Sequence, residues 1–206
     1  NGKLLAIKEN EVAHTHSSFL HIAIQAIMND TQLSLSSIDA IAVTLGPGSY
    51  TGLRVGLSSA KGIAYALQKP LIGLSTLTLL ANAATRHPWL KDKKDKATIF
   101  AMLDARKMEV FGAIYDTHLN TIVSEQALEI DSNYLTSLIT KHPTICIGSA
   151  TPKAKKLVED PAIIFVEQSY NILDCIQLAE LAFKDKKFED LAYTRPSYLK
   201  EFYFQK

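Results

Sequence analysis

Apolar and polar positions switch between two periods along this chain, and the switches mark its elements. Ile38-Asp-Ala-Ile-Ala-Val-Thr-Leu45 is an apolar run of strand length, after which Leu53, Leu57, Ala60, Ala64 and Leu67 recur at helical spacing. Between them lies Gly46-Pro-Gly-Ser-Tyr-Thr-Gly52, so the pattern predicts a buried strand, a tight turn and a helix opening near Tyr50 with Ser49 as its N-cap. Ser17 to Asn29 reads as a helix in which His21 and Gln25 alone interrupt the apolar residues from Phe19 to Met28. A helix apolar nearly all round needs cover nearly all round. Leu4-Leu-Ala-Ile7 reads as a strand after the Asn1-Gly2 turn signal, which normally joins a hairpin whose first strand is not in this sequence.

Further on, Pro70 to Leu74 reads as a strand and Thr76 to Thr85 as a helix. The charge run Lys91-Asp-Lys-Lys-Asp-Lys96 is a solvated loop and a candidate boundary. Ala97 to Asp104, Glu109 to Tyr115 and Thr121 to Ile130 are predicted strands. Helices near Tyr134–Leu138, Lys153–Val158 and Ile172–Phe183 then alternate with strands at Thr144–Ile147 and Ile163–Val166. Two successive blocks of this kind predict an α/β protein of two related lobes, 1–95 and 96–206, with the C-terminal segment a candidate to pack back on the first lobe.

The glycines carry the candidate chemistry. Gly46 and Gly48 flank Pro47, and free amides at the following helix start make Gly46, Gly48, Ser49 and Arg54 candidate nucleotide or phosphate contacts. Gly48, Gly52 and Gly56 recur every four residues and Ala60 continues the row, so one helix face is nearly bare. Each helical glycine costs about 1 kcal/mol against alanine, and close approach of a sheet, a second helix or another subunit would offset it. Walker A fails because Leu53 follows Gly52 where lysine is required. The dinucleotide fingerprint fails because Thr51 stands where its third glycine belongs.

Charge and cysteine content narrow the classes. With 22 basic and 21 acidic residues the net charge is +1, which argues against a strongly electrostatic nucleic-acid binder. Cys146 and Cys175 each sit in an apolar segment and read as buried thiols of a reducing, cytoplasmic setting. No apolar run has membrane-spanning length. His14, His16 and His21 lack an acidic neighbour to complete a metal set, so they read as solvated or capping. No Ser-His-Asp constellation can be assembled around Ser49. Asp104 and Arg106 are candidates either for a ligand or for an ion pair at a strand end. Arg54 and Lys61 share a helix face and could meet a phosphate or an acidic partner patch.

Gly-Pro-Gly-Ser-Tyr-Thr-Gly-Leu-Arg54 with Ala60-Lys-Gly62 resembles the signature of the TsaB (YeaZ) family, with Tyr50 where phenylalanine is usual. Met102-Leu-Asp-Ala-Arg-Lys-Met-Glu-Val110 is similar to that family's Asp-Ala-Arg segment, and Pro196-Ser-Tyr-Leu-Lys200 to its closing motif. The resemblance implies a two-lobed actin and heat-shock-chaperone ATPase fold of mixed sheets flanked by helices, with the first strand missing from this chain. It also implies a non-catalytic scaffold that pairs with the catalytic paralogue TsaD and with TsaE, and a homodimer when alone. Those partners would serve threonylcarbamoylation of the adenosine next to the tRNA anticodon, with tRNA met through the complex alone.

Thr76 and Leu80 stand where TsaD carries metal-binding histidines, so no metal and no catalytic residue is expected here. No cofactor is expected on this chain alone, with ATP or ADP as candidates in the complex. The helical interface is expected at Phe19, Leu20, Ala23, Ile24 and Ile27 together with Gly48, Tyr50, Gly52, Leu53, Gly56, Leu57 and Ala60. Two other classes remain as alternatives: a stand-alone actin-like ATP-dependent enzyme and a glycoprotease-like metallopeptidase.

Overall fold

The computed structural model describes residues 2–10, 16–93 and 95–200, with the side chains of 16–18 outside that description. The chain forms two units, one of Asn1–Ser75 with Cys175–Ser197 and one of Thr76–Asp174 with Tyr198–Lys206. This moves the expected boundary at 95/96 back to Ser75/Thr76. The helix after Ser75 lends its apolar face to the second unit's sheet, and that outweighs the composition of the charge run as a divider.

In the first unit, helix α1 (His16–Thr31) neighbours α2 (Tyr50–Leu67), which covers strands β1 (Ile41–Gly46) and β2 (Leu71–Ser75). β1 and β2 pair in parallel from Ile41↔Leu71 to Thr44↔Leu74. Their core is Leu57, Ala60, Ala64 and Leu71 with Ile41, Val43, Leu45 and Leu191 against it. The Ser49 hydroxyl caps α2 by accepting from the Gly52 amide at 3.3 Å. Leu4–Ile7 forms no strand. A strand is defined by a partner for its backbone, and a short apolar run does not supply one.

In the second unit, α3 (Thr76–Ala84) precedes a five-stranded mixed sheet. Its strands are β3 (Thr98–Asp104), β4 (Glu109–Asp116), β5 (Thr121–Glu129), β6 (Thr144–Ile147) and β7 (Ile163–Val166), in the order β5-β4-β3-β6-β7. β3 pairs antiparallel with β4 and parallel with β6. Its alternation decides the layering. Ile99 and Ala101 pack with Leu77, Leu80, Ala81 and Ala84 of α3, while Phe100 and Met102 pack on the other face with Leu135. Leu135 belongs to α4 (Ser132–Ile139). Both faces of the central strand are covered, so it is apolar on both.

The short helix α5 (Thr151–Ala154) starts and stops earlier than the Lys153–Val158 expected, because Pro152 favours a first turn and the Thr151 hydroxyl bonds the Gly148 carbonyl at 2.9 Å. Helix α6 (Ile172–Lys184) follows β7. Among the described residues no helix is long and apolar enough to cross a membrane.

Gly148 ends β6 at φ +115°, and a Cβ there would lie 2.2 Å from the Met102 carbonyl oxygen. Gly148→Ala is expected to cost about 3 kcal/mol or more, read as a lower urea midpoint. Gly62→Ala, on α2 with nothing within 4 Å of its Cβ, should instead gain up to about 1 kcal/mol.

Candidate functional site

Helix α1 is less covered than its composition requires. Ala23 is buried, Phe19, Leu20, Ile24, Ala26, Ile27 and Met28 are half-buried, and Ile22 is 67% exposed. α2 behaves differently: Leu53, Leu57, Ala60 and Ala64 are buried, the last three of them lying in the core beside β1. Leu53, Leu57 and Ala60, expected at a partner surface, are therefore interior to this unit, and Ala23 is covered as well. The helical stripe that marks a core face and the one that marks an interface are the same pattern in sequence. Of the positions expected at a partner surface, those around the start of α2 are the more open: Gly48 just before it is exposed, Tyr50 is 39% exposed and Gly52 is half-buried, while further along the helix Tyr65 is 70% exposed.

The glycine row is not forced from within. A Cβ on Gly52 would meet only its own N-cap Ser49 at 3.4 Å, and one on Gly56 would meet the Val43 side chain at 3.7 Å. Among the described residues no backbone from outside α2 lies within 4 Å of either position, so the sheet does not account for them.

The turn before α2 is closed over. Gly46–Pro47 is a cis peptide, and the Leu45 carbonyl accepts from the Ser197 amide at 2.8 Å. Gly46 has φ +118°, with the Ser197 carbonyl 3.1 Å from where a Cβ would stand, so this position suits glycine. Of the candidate phosphate contacts, Gly46 is buried here, Gly48 and Ser49 are exposed, and the Arg54 guanidinium stacks 4.0 Å over the Tyr50 ring. These groups lie along one short segment, but the Ser49 hydroxyl already serves as the helix cap. Lys61 does not join Arg54; its ammonium donates to the Thr194 carbonyl at 2.6 Å.

In the second unit Asp104 pairs with Lys153 of α5 at 2.5 Å rather than with Arg106. Lys153 is 19% exposed and also donates to the carbonyls of Lys107 (2.9 Å) and Glu109 (2.5 Å), which pins the β3–β4 connection from three sides. Lys200 donates to both oxygens of Glu109 at 2.7 and 2.6 Å. That ammonium, with Arg106 and Lys153 adding to it, holds the Glu109 carboxyl below its usual range. Sequence reasoning did not find Lys153 or Lys200 as partners, since neither lies near its acceptor along the chain.

It also missed Asp174, whose carboxylate is fully buried. Arg86 donates to it at 2.6 Å, Asn82 at 2.9 Å and the Asn171 amide at 2.9 Å. The spacing Asn171-x-x-Asp174, a capping box at the start of α6, was the available signal. Burial pushes the Asp174 carboxyl up, and the Arg86 and Asn171 bonds outweigh that and hold it below the usual aspartate value.

Thr76 and Leu80 are both buried in α3. His14 lies outside the described residues, as does the His16 side chain, and His21 is exposed on α1. Among the described residues no group of three or more His, Cys, Asp or Glu side chains could hold a metal ion. Cys146 is buried and Cys175 half-buried; burial pushes the Cys146 thiol up, so it is inert at neutral pH.

Residues 7–201 match the family model of TsaD, tRNA N6-adenosine threonylcarbamoyltransferase. The tRNA threonylcarbamoyladenosine biosynthesis protein TsaB of Bacillus subtilis (strain 168) is 30% identical over 195 residues, covering 90% of this chain and 80% of that protein. The chain belongs to the TsaB branch of this family. TsaB of Escherichia coli (strain K12) is 36% identical over 107 residues, 52% of this chain and 44% of that protein, so that match spans under half of the relative's length. Two Pseudomonas aeruginosa structures share the fold. One, described as similar to peptidase YeaZ, has TM-score 0.74 at 23% identity and covers 93% of this chain and 87% of that one. The other, YeaZ, has TM-score 0.69 at 24% identity and covers 89% and 85%. The mixed sheet flanked by helices is thus the TsaB fold that the glycine signature implied.

Asp174 yields a signed pH test. Its folded value lies below the unfolded aspartate value near 3.9, so its contribution is present above that value and is lost as pH falls through the folded one. Asp174→Asn should cost about 3 kcal/mol at pH 7 and less at pH 3. Urea unfolding at both pH values checks this, and an equal loss at both would contradict it.

Proposed function

We propose that this chain is a non-catalytic scaffold subunit that pairs with TsaD, and with TsaE, in threonylcarbamoylation of the adenosine next to the tRNA anticodon. The observation that carries the reading is α1, an apolar helix whose Phe19, Leu20, Ile24 and Ile27 remain half-covered and whose Ile22 is open. Gly48 and Gly52 around the start of α2, beside the Tyr50 ring, add a place where another backbone can come close, which would offset the cost of glycine there.

Thr76 and Leu80 support the division of labour. Neither offers a metal-ligating nitrogen, and both are buried, Thr76 as the first residue of α3. The group transfer then belongs to TsaD, and this chain contributes by ordering it and by forming part of the surface where TsaE docks. Alone, the same α1 and α2 surface would pair two copies of this chain. ATP or ADP belongs to the complex, tRNA is met through the complex, and the setting is cytoplasmic.

The test mixes the purified chain with TsaD, with and without ATP and TsaE, and follows co-elution. Wild type should co-elute; absence of any complex would contradict the reading. Ile22→Asp, on an exposed side chain, should leave unfolding within about 0.5 kcal/mol of wild type while weakening pairing by about 30-fold. Gly52→Leu should weaken pairing too, without loss of fold. Calorimetric titration of TsaD with each variant reads both effects.

A further inference from the structure

We infer that Glu189–Ser197 is a clasp that sets the glycine turn and the first turn of α2 for partner binding, and that Lys61 is the positioning residue that holds it. The effect on binding rests on the pairing reading above; the clasp itself does not.

The segment is tied to the first unit at both ends. Its Glu189 amide donates to the Leu71 carbonyl at 2.8 Å, at the start of β2. Its Ser197 amide donates to the Leu45 carbonyl at 2.8 Å, at the end of β1. Between these ties it braces itself. The Asp190 carboxylate accepts from the amides of Ala192 (2.7 Å) and Tyr193 (3.1 Å), and the Thr194 hydroxyl engages Glu189 at 2.9 Å and the Asp190 carbonyl at 2.7 Å. This rigid turn leaves the Thr194 carbonyl aimed at α2, where the Lys61 ammonium takes it at 2.6 Å.

Lys61 is half-buried, and its acceptor is a neutral carbonyl. Partly desolvating an ammonium for a neutral acceptor is unfavourable as surface charge placement, whereas it makes sense as a directed tie between two segments. The lengths agree. Lys61 lies about 16 Å along α2 from Tyr50, and Thr194 to Ser197 spans about 10 Å when extended, with the lysine stem closing the remainder. At the far end the Ser197 carbonyl stands against Gly46, so a shift of the segment releases the turn that starts α2. Lys61 touches no partner in this reading; it acts through Thr194 and Ser197.

The test uses the full chain. Lys61→Met keeps the stem and removes the donor. Hydrogen exchange of the chain alone should become about tenfold faster at the Ser197 amide and at the Gly52 and Leu53 amides, which bond Ser49, with the global urea midpoint little changed. Lys61→Arg should restore wild-type exchange, and Ser197→Pro, which deletes the amide bonded to Leu45, should reproduce the faster exchange at the Gly52 and Leu53 amides. Affinity for TsaD should fall about tenfold in Lys61→Met and recover in Lys61→Arg. Unchanged exchange in both Lys61→Met and Ser197→Pro overturns the clasp. Faster exchange with undiminished TsaD affinity overturns its role in pairing. If wild type itself fails to bind TsaD, the pairing reading falls, and the exchange comparison still decides whether the clasp exists.

Discussion

One unmet demand for cover shapes the first unit. A helix whose middle reads Phe-Leu-His-Ile-Ala-Ile-Gln-Ala-Ile-Met presents apolar carbon on nearly every side, and a neighbouring helix can shield only part of it. α2 is that neighbour, and its own buried leucines are spent on β1 and β2. The residual apolar surface of α1 thus has no shield among the described residues of its unit, and covering Ile22 alone is worth about 1–2 kcal/mol. The glycines at the start of α2 belong with this. Among the described residues nothing presses on Gly52 or Gly56 hard enough to require a missing side chain, so packing within those residues does not offset their cost to the helix.

The second unit shows the opposite economy. Its central strand is covered on both faces, its β3–β4 connection is pinned by Lys153, and the buried Asp174 has a donor from each of three neighbouring residues. Charged groups there are used to fix loops and helix starts. The Asp104 carboxylate, the most suggestive candidate for chemistry in that segment, is engaged by a lysine from a helix far along the chain. In this unit these charged side chains serve local structure.

Much of the fold was legible because the elements follow local rules. β6 and β7 fall on the expected residues, as does α2 with its Ser49 cap, since apolar runs and capping chemistry are encoded within a few positions. Helix ends were harder. α1, α2 and α6 each close with a left-handed residue and the paired bonds of a Schellman motif, but those residues are Gln32, Gln68 and Lys186 rather than the glycine that would have announced them. Leu4–Ile7 carried a strand pattern without a partner. For the expected interface the sequence offered two helices without their orientation: the structure leaves Phe19, Leu20, Ile24 and Ile27 half-buried, whereas the burial of Leu53, Leu57 and Ala60 required knowing which way α2 turns. The ties of Lys61, Lys153, Asp174 and Lys200 join residues distant in sequence, and no local pattern reports them.

The central claim, that the exposed face of α1 is covered by another polypeptide, is tested most directly by amide hydrogen exchange across residues 19–28 of the wild-type chain, measured at low concentration and then with TsaD added. The account predicts that these amides slow by at least about tenfold on addition, while those of β3 do not change. Exchange across 19–28 that is the same with and without TsaD, in a sample where a complex has demonstrably formed, would contradict it.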